Sequence, residues 1–408
     1  MWPISKRGRI DRLVVFRFIE NGFRPAGELT FEGGDARIAR FVYARSYLEN
    51  GYRALDPIGL PLRRGSVSSA PEEVHLTFHD VGPDGWGKGI LNQAFPTLRL
   101  GMAEYLALGG ASRTGDLAFG PTPDGRLTWV PENEPQLAIP SDDDDLDALQ
   151  EAAKAVDEGE KDGHHLRLLV RHSADIGGAR PKARLKHKGK EWIAKFSTWS
   201  DKFNDPIAEA ASLDVAEAAG IPVPERELVT ARNGAVLMVR RFDRSEAGNP
   251  YGYLSMGTLL KQPSTAYATD KTYLDMALTA RAIGVRDPEQ DVFRRLLVNS
   301  YLHNTDDHLR NHALIDRGEG WVLSPAFDVV PNTGRGAHVC APAPGVDPVC
   351  NPETAFSAHT QFRIAKGDAE AIRDQVHSAA RRLWEFAEMR GMPERDRRVL
   401  RDSLTHFG

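Results

Sequence analysis

The chain has 408 residues, 41% of them hydrophobic and 27% charged, with a net charge of -5. That length exceeds what one hydrophobic core organises, so two or three subdomains are expected. The acidity argues against a chain-wide nucleic-acid footprint, and no apolar run reaches the about 18 residues of a membrane span.

Taken in chain order, "MWPISKRGRIDRLVVFRF" is broken by charges before a signal-peptide core forms. "LVVFRFI" and "AGELTF" flank "ENGFRP" and predict a hairpin turning at Asn21-Gly22. "RIARFVYA" and "EVHLTFHDV" predict further strands, and "LGGASRTGDLAFGPTPDGRLTWV" predicts short Gly-rich turns, which makes residues 1–135 a β-rich module. In "SDDDDLDALQEAAKAVDEGE", Ser141 is a good N-cap and the aspartates suit the first turn of a helix dipole. Leu146, Leu149, Ala153 and Val156 follow at helical spacing, so a connecting helix is expected there rather than an acidic tail.

From residue 166 the pattern reads strand, Gly-rich loop, strand, and "ARLKHKGKEWIAKF" predicts a hairpin turning at Lys188-Gly189. Asn204 and Asp205 cap a helix with Pro206 at its first position. Ile207, Ala211, Val215 and Ala218 form its buried stripe, and Gly220 with Pro222 ends it. A second hairpin, "RELVTA" with "AVLMVRRF", turns at Asn233-Gly234. Beyond residue 255 the chain reads as mostly helical, giving segments 136–254 and 255–408. Only Cys340 and Cys350 occur, which excludes a disulfide framework or a cysteine-built zinc site and suits a reducing cytoplasm.

"GPDGWGKG" (82–89) approaches a Walker A loop, but Gly89 stands where Ser or Thr must hold magnesium, and Pro83 removes a backbone donor. It is read as a Gly/Pro turn. "SADIGGARPKARL" (173–185) is a better phosphate cradle. Gly177 and Gly178 let backbone approach a phosphate, and Arg180 and Lys182 add positive charge, although an ordinary turn explains the glycines equally. Lys195 follows in "EWIAKF", among apolar neighbours where an unpaired lysine is costly, and Glu209 sits in the first turns of the next helix. Loop, strand lysine and helix glutamate is the order in which protein kinases hold the phosphates of ATP. An exposed Lys and an exposed Glu are the plain alternative.

"DPEQDVFRRLLVNSYLHN" predicts a helix from Asp287 and Pro288, with Val292, Phe293, Leu296, Leu297 and Ser300 inward. It delivers "TDDH", then a short hairpin of "HALI" and "WVLS", then Asp328 in "PAFDVV". Asp306 to Asn311 has the D-x-x-x-x-N spacing of a kinase catalytic loop, and Phe327 before Asp328 loosely mirrors the metal-binding aspartate segment. Phosphoryl transfer needs hard oxygens for magnesium and one uncoordinated carboxylate beside the attacking oxygen. Two rival readings remain: a metal-dependent hydrolase built on His303, Asp306, Asp307, His308 and His312, and a solvated polar turn.

"IGGARPKARL", "WIAKF", "AEAASLDVAEAAGIPVPE", "VRRFDR", "NTDDHLRNHAL" and "LSPAFDVVPN", with "HDVGPDGWGKGIL" and "RTGDLAFG" upstream, together resemble the HipA family of bacterial serine/threonine kinases from toxin–antitoxin modules. The resemblance covers nearly the whole chain. It implies an α+β, bilobal fold related to protein and phosphoinositide kinases, with an added N-terminal β-rich subdomain and a helical C-lobe. It implies ATP and Mg2+ as cofactors. Gly177, Gly178, Ala179, Arg180, Pro181 and Lys182 would cover the phosphates, Lys195 would be the ATP lysine, and Glu209 its partner. Arg240, Arg241 and Phe242 would meet adenine, though Phe242 as core and Asp243 as a local cap is an equal reading. Asp306 would be the catalytic base, His308 to Asn311 and Phe327 would border the nucleotide, and Asn311 and Asp328 would hold metal. The implied partners are a protein substrate, aminoacyl-tRNA synthetases among them in the family, and a small helix-turn-helix antitoxin through which DNA is reached indirectly.

Two positions depart from the family pattern. Asp175 stands where well-known members autophosphorylate a serine, leaving Ser173 as the candidate phosphoacceptor, and Asp307 stands where a glycine often occurs. A catalytically silent protein that sequesters or co-represses is the alternative from another class, but Lys195, Asp306 and Asp328 are all retained.

Overall fold

The run Leu13–Phe16 is apolar on both faces, and in the computed structural model of the chain it forms a strand covered on both sides. The structure describes residues 10–33, 38–71, 73–110, 112–125, 127, 145–160, 162–334 and 336–405. In β1 (Arg12–Ile19), Leu13 and Val15 join Leu29, Phe41, Phe78 and Leu106 in the main core, while Val14 and Phe16 pack with Ala118. β1 pairs with β2 (Gly22–Glu32). β3 (Ile38–Tyr43) and β4 (Val67–Ser68) extend the antiparallel sheet on one side, and β5 (Leu117–Gly120) closes the other. The first hairpin turns on Glu20-Asn21, one residue before the expected pair. Gly22 already faces Ile19 in the ladder, and Glu20 adopts the left-handed φ of 59°.

Short helices α1 (Arg45–Glu49), α2 (Leu76–Asp80), α3 (Gly85–Ala94) and α4 (Met102–Leu108) pack around this sheet. Two of them correct the sequence reading. "EVHLTFHDV", expected as a strand, contains α2, because Val74, Phe78 and Val81 recur at helical spacing and all three enter the core. "GPDGWGKG" turns only in its first residues and is helical from Gly85. The next helix, α5 (Leu146–Asp157), is capped by the Asp145 side chain, which accepts from the Asp147 N–H; Ser141 lies outside the described residues. The strand expected at 166 is instead α6 (Gly163–Ser173), with Leu166, Leu169 and Ser173 buried three and four residues apart. β6 (Lys182–His187) and β7 (Lys190–Lys195) form the expected hairpin, turning on Lys188-Gly189 with both residues left-handed.

By their contacts, the described residues fall into two compact units. One is drawn from Met1–Thr198 with Asp243–Leu254, the other from Trp199–Phe242 with Ser255–Gly408. In the first, Asp243 is more than a local cap. Its carboxylate accepts from the Gly115 N–H and pairs with Arg244 at 2.9 Å, and that buried guanidinium donates to the carbonyls of Ser112 and Arg113. The segment after residue 243 is thereby tied to the loop before β5.

In the second unit, Asn204 accepts from the Ile207 N–H and starts α7 (Asp205–Ala218), with Pro206 second. Ile207, Ala211 and Val215 are buried as expected; Ala218 is exposed and Ala219 takes its place. β8 (Arg226–Ala231) and β9 (Gly234–Arg240) turn on Arg232-Asn233, again one residue early, since Ala231 faces Gly234. Leu237 and Val239 of β9 pack on Ala210 of α7. Helices α8 (Met256–Leu259), α9 (Tyr273–Ala282) and α10 (Pro288–Tyr301) follow, then α11 (Pro352–Ser357), α12 (Lys366–Ala380), α13 (Leu383–Met389) and α14 (Glu394–Thr405). Asp287 stands at the start of α10 without a side-chain cap bond and pairs with Arg281 instead. Among the described residues, no helix is long and apolar enough to cross a membrane.

Removing one partner of a buried ion pair leaves the other charge desolvated, which costs about 3–5 kcal/mol. Arg244 keeps a second contact to Glu191 at 3.3 Å, so the lower end applies. Asp243→Ala should lower the unfolding free energy by about 3 kcal/mol in a urea titration followed by circular dichroism.

Candidate functional site

In the first unit, Gly177 to Pro181 link α6 to β6 and are held from below. The Asp175 carboxylate, almost fully buried, accepts from Arg184 Nε at 3.0 Å and Nη2 at 3.1 Å, and the same guanidinium donates to the Arg171 carbonyl. Nearby Arg113 is wholly buried, and desolvation pulls its guanidinium down to about 10 against the opposing charge of Asp175. Ser173 is also fully buried, and its hydroxyl donates to the Lys182 carbonyl at 2.6 Å. The loop is seated on the start of α3. Trp86 donates its backbone N–H to the Gly178 carbonyl at 3.0 Å and its indole N–H to the Lys182 carbonyl at 3.2 Å. A Cβ at Gly85 would lie 3.1 Å from Ala179 Cα, and one at Gly87 3.1 Å from the Ala174 carbonyl oxygen. The near-Walker stretch therefore holds the glycine loop rather than a phosphate of its own.

Gly178 has φ of 97°, and a Cβ there would collide with the Lys182 ammonium. Lys182 and Lys195 face each other across the β6–β7 ladder. Trp192, Ala194 and Phe196 are buried, while Lys195 is half-buried.

In the second unit, α10 runs into Thr305-Asp306-Asp307-His308, a 3-10 turn at Leu309–Asn311, and the hairpin Ala313–Asp316 with Trp321–Leu323. Asp306 is exposed and Asp307 is buried, so the adjacent carboxylates point to different environments. Asn311 donates its side-chain N–H to the Asp306 carbonyl at 2.8 Å, which fixes the amide and leaves its oxygen at the other end. Asn311, Asp328, Phe327, Asn304, His312 and Asp307 line one recess of about 20 Å3, room for about one water. The Asn304 side-chain oxygen and His312 Nε2 are buried without a hydrogen-bond partner. Burial and the charge of Arg295 lower His312 to about 3, so it is a neutral imidazole. Asp328 sits at a left-handed φ of 53°, a strained conformation for a non-glycine residue.

Asn311 and Asp328 offer hard oxygens of the kind magnesium takes, and the Asn304 oxygen is an orphaned acceptor that a single metal-bound water would satisfy. Phe327 packs on Phe242 with ring centroids 5.4 Å apart, so the structure brings the end of the β9 segment to the Asp328 segment. Arg241 is buried, Arg240 is paired to Glu225 at 3.2 Å, and Glu209 is buried on α7. The hydrolase constellation does not assemble. His303 turns to Cys350 and Asp307 to His338, and among the described residues no three His, Cys, Asp or Glu side chains converge as a metal site.

Sequence reasoning missed what lies under the loop. Asp307 pairs with His338 Nδ1 at 2.8 Å, and neither side chain has any exposed surface. Its oxygens also accept from the Tyr273 hydroxyl and the Val339 N–H, each at 2.7 Å. Ser300 donates its hydroxyl to the Leu296 carbonyl, so its oxygen accepts from His338 Nε2 at 3.0 Å. Nε2 therefore carries a proton, and Nδ1 lies within ion-pair distance of the Asp307 carboxylate. Burial lowers the affinity of His338 for a proton, but Asp307 outweighs this and raises it to about 10; burial raises Asp307, and His338 with Tyr273 and Val339 brings it below the usual range.

A raised histidine contributes stability that is full below its unfolded value near 6.5 and lost as pH rises through its folded value. Wild-type stability should therefore decline between about pH 6.5 and 10. Asp307→Asn should cost about 3–5 kcal/mol at pH 7 and flatten that alkaline decline. Urea unfolding across pH 6 to 10 measures both.

With this geometry in place, comparison with known proteins locates the chain. Residues 20–120 match the HipA N-terminal domain and residues 174–384 the HipA-like C-terminal domain. Among solved structures, HipA of the Shewanella oneidensis MR-1 toxin–antitoxin system, determined with HipB and its operator DNA, covers 97% of this chain and 95% of its own at 17% identity, with a TM-score of 0.66. That likeness shows the fold, and with it the α+β class with an added N-terminal subdomain expected from the sequence. CtkA, a proinflammatory kinase of Helicobacter pylori, covers 52% of this chain and 93% of its own at 14% identity, but its TM-score of 0.36 is too low to argue from. No curated protein matches in sequence. The C-terminal domain match alone spans more than half of the residues, and the chain belongs to the HipA family.

Proposed function

We propose that the chain is an ATP- and magnesium-dependent serine/threonine protein kinase and the toxin of a toxin–antitoxin pair. The observation that carries this is the Asn311 amide, locked by the Asp306 carbonyl and sharing a recess with Asp328. Asn311 and Asp328 would hold Mg2+, which when bound neutralises charge on the transferred phosphoryl oxygens. Lys182, Lys195 and the backbone of Gly177 to Arg180 supply positive charge and N–H donors for the ATP phosphates. Arg241 and Phe242 are assigned to the adenine end. Asp306, exposed and outside the recess, takes the proton of the attacking hydroxyl. His308 borders the nucleotide.

The Shewanella relative was determined with HipB and DNA, which supports a HipB-like helix-turn-helix antitoxin as partner, with DNA reached through it. The acceptor is a protein hydroxyl, with an aminoacyl-tRNA synthetase the first candidate. Control through the loop by Ser173 is disfavoured, since that hydroxyl is buried and already donates to Lys182. A co-repressor without catalysis has no need of an oriented Asp306–Asn311 pair.

Mg·ATP should raise the melting temperature, because a ligand bound only by the folded state stabilises it, and Lys195→Ala should reduce that rise. Asp306→Asn should keep the rise but lose roughly 10²- to 10⁴-fold in phosphoryl transfer. Peptide mass spectrometry after incubation with Mg·ATP should find Ser173 unmodified. Full transfer by Asp306→Asn would refute the base assignment, and phosphate on Ser173 would refute the reading of the loop.

A further inference from the structure

The segment between α8 and α9 is built around one side chain. Gln262 is buried, and its amide N–H groups reach the carbonyls of Ala266, Tyr267 and Ala268 at 3.0, 3.3 and 3.4 Å. A turn from Pro263 to Ala266 closes the same loop. The residue this scaffold presents is Tyr267, which is 40% exposed, so burial of its ring does not account for its placement. Its hydroxyl donates to Asp306 Oδ1, and its ring stands edge-on to His308 at 5.7 Å. Both contacts fall on the segment assigned to catalysis.

A general base must accept a hydrogen bond from the hydroxyl it deprotonates. In this structure the Tyr267 hydroxyl makes that bond. We propose that Tyr267, Asp306 and His308 form the acceptor-hydroxyl subsite, and that Tyr267 holds it closed until an incoming hydroxyl displaces the phenol. This rests on Asp306 being the base. The loop is fixed by Gln262, so displacement turns the Tyr267 side chain away without dismantling the loop. Tyr267 is then a specificity-determining residue: an acceptor gains the site only by out-competing a charge-assisted hydrogen bond. Water, a weak and unpositioned acceptor, is held off the base, which limits idle hydrolysis of ATP.

Tyr267→Phe is the direct probe, since it keeps the ring against His308 and removes only the hydroxyl. With the full chain and saturating Mg·ATP, release of labelled phosphate to water should rise roughly tenfold, the scale of one hydrogen bond to a charged group. The KM for ATP should not change, and the melting temperature verifies folding. An unchanged or slower release would overturn the proposal and leave Tyr267 a positioning or packing residue. Adding Asp306→Asn to Tyr267→Phe separates the two ideas. A double variant that keeps the raised release of Tyr267→Phe would remove Asp306 as the base, whereas a return to the wild-type rate supports it.

Discussion

A carboxylate and an imidazole buried together without exposed surface lose more hydration than their attraction returns, unless further donors complete the shell. Asp307 meets that condition with three partners, His338, Tyr273 and the Val339 N–H, on its two oxygens. The network continues through Asn299, which donates to the Tyr273 hydroxyl, and Asn304, which donates to Asn299. With residue 307 pinned inward, the neighbouring Asp306 carboxylate faces outward while its carbonyl receives Asn311. The exposed Asp306 carboxylate and the oriented Asn311 amide are thus two consequences of one buried ion pair. The glycine common at this position in the family could not make it, so this chain anchors its loop by charge.

The glycine loop follows the same logic in the first unit. Asp175 and Arg184 close the base of the loop by a bidentate pair, and Trp86 fixes its crest through Gly178. Gly85 and Gly87 matter because backbone atoms of residues 174 and 179 occupy the space a side chain would need. A carboxylate at residue 175 is a permanent charge that cannot be added or removed by phosphorylation, so it holds the loop in one state.

Much of this was legible in the sequence, for identifiable reasons. The hairpins, α7 and α10 were readable because glycine-containing turns, a proline near each helix start and apolar stripes mark them, although Asp287 makes no cap bond. Asp306, Asn311 and Asp328 could be grouped because a short hairpin brings its entry and exit together. The errors have physical causes too. Val74, Phe78 and Val81 read as a strand only because "EVHLTFHDV" also alternates, and two turns shifted by one because Gly22 and Gly234 pair in ladders instead of turning. His338 and Tyr267 carry no local signal: one is a lone histidine in a loop, the other an exposed tyrosine, and each gains meaning only from a partner more than 30 residues away.

On the proposed function, the recess lined by Asn311 and Asp328 receives the metal that accompanies ATP. Mn2+ substitutes for Mg2+ at oxygen sites and is visible by electron paramagnetic resonance. Titration of the protein with Mn2+ and ATP, followed by loss of the free-ion signal, should show uptake by wild type that Asn311→Ala weakens roughly tenfold or more. Equal uptake by both proteins would contradict the account.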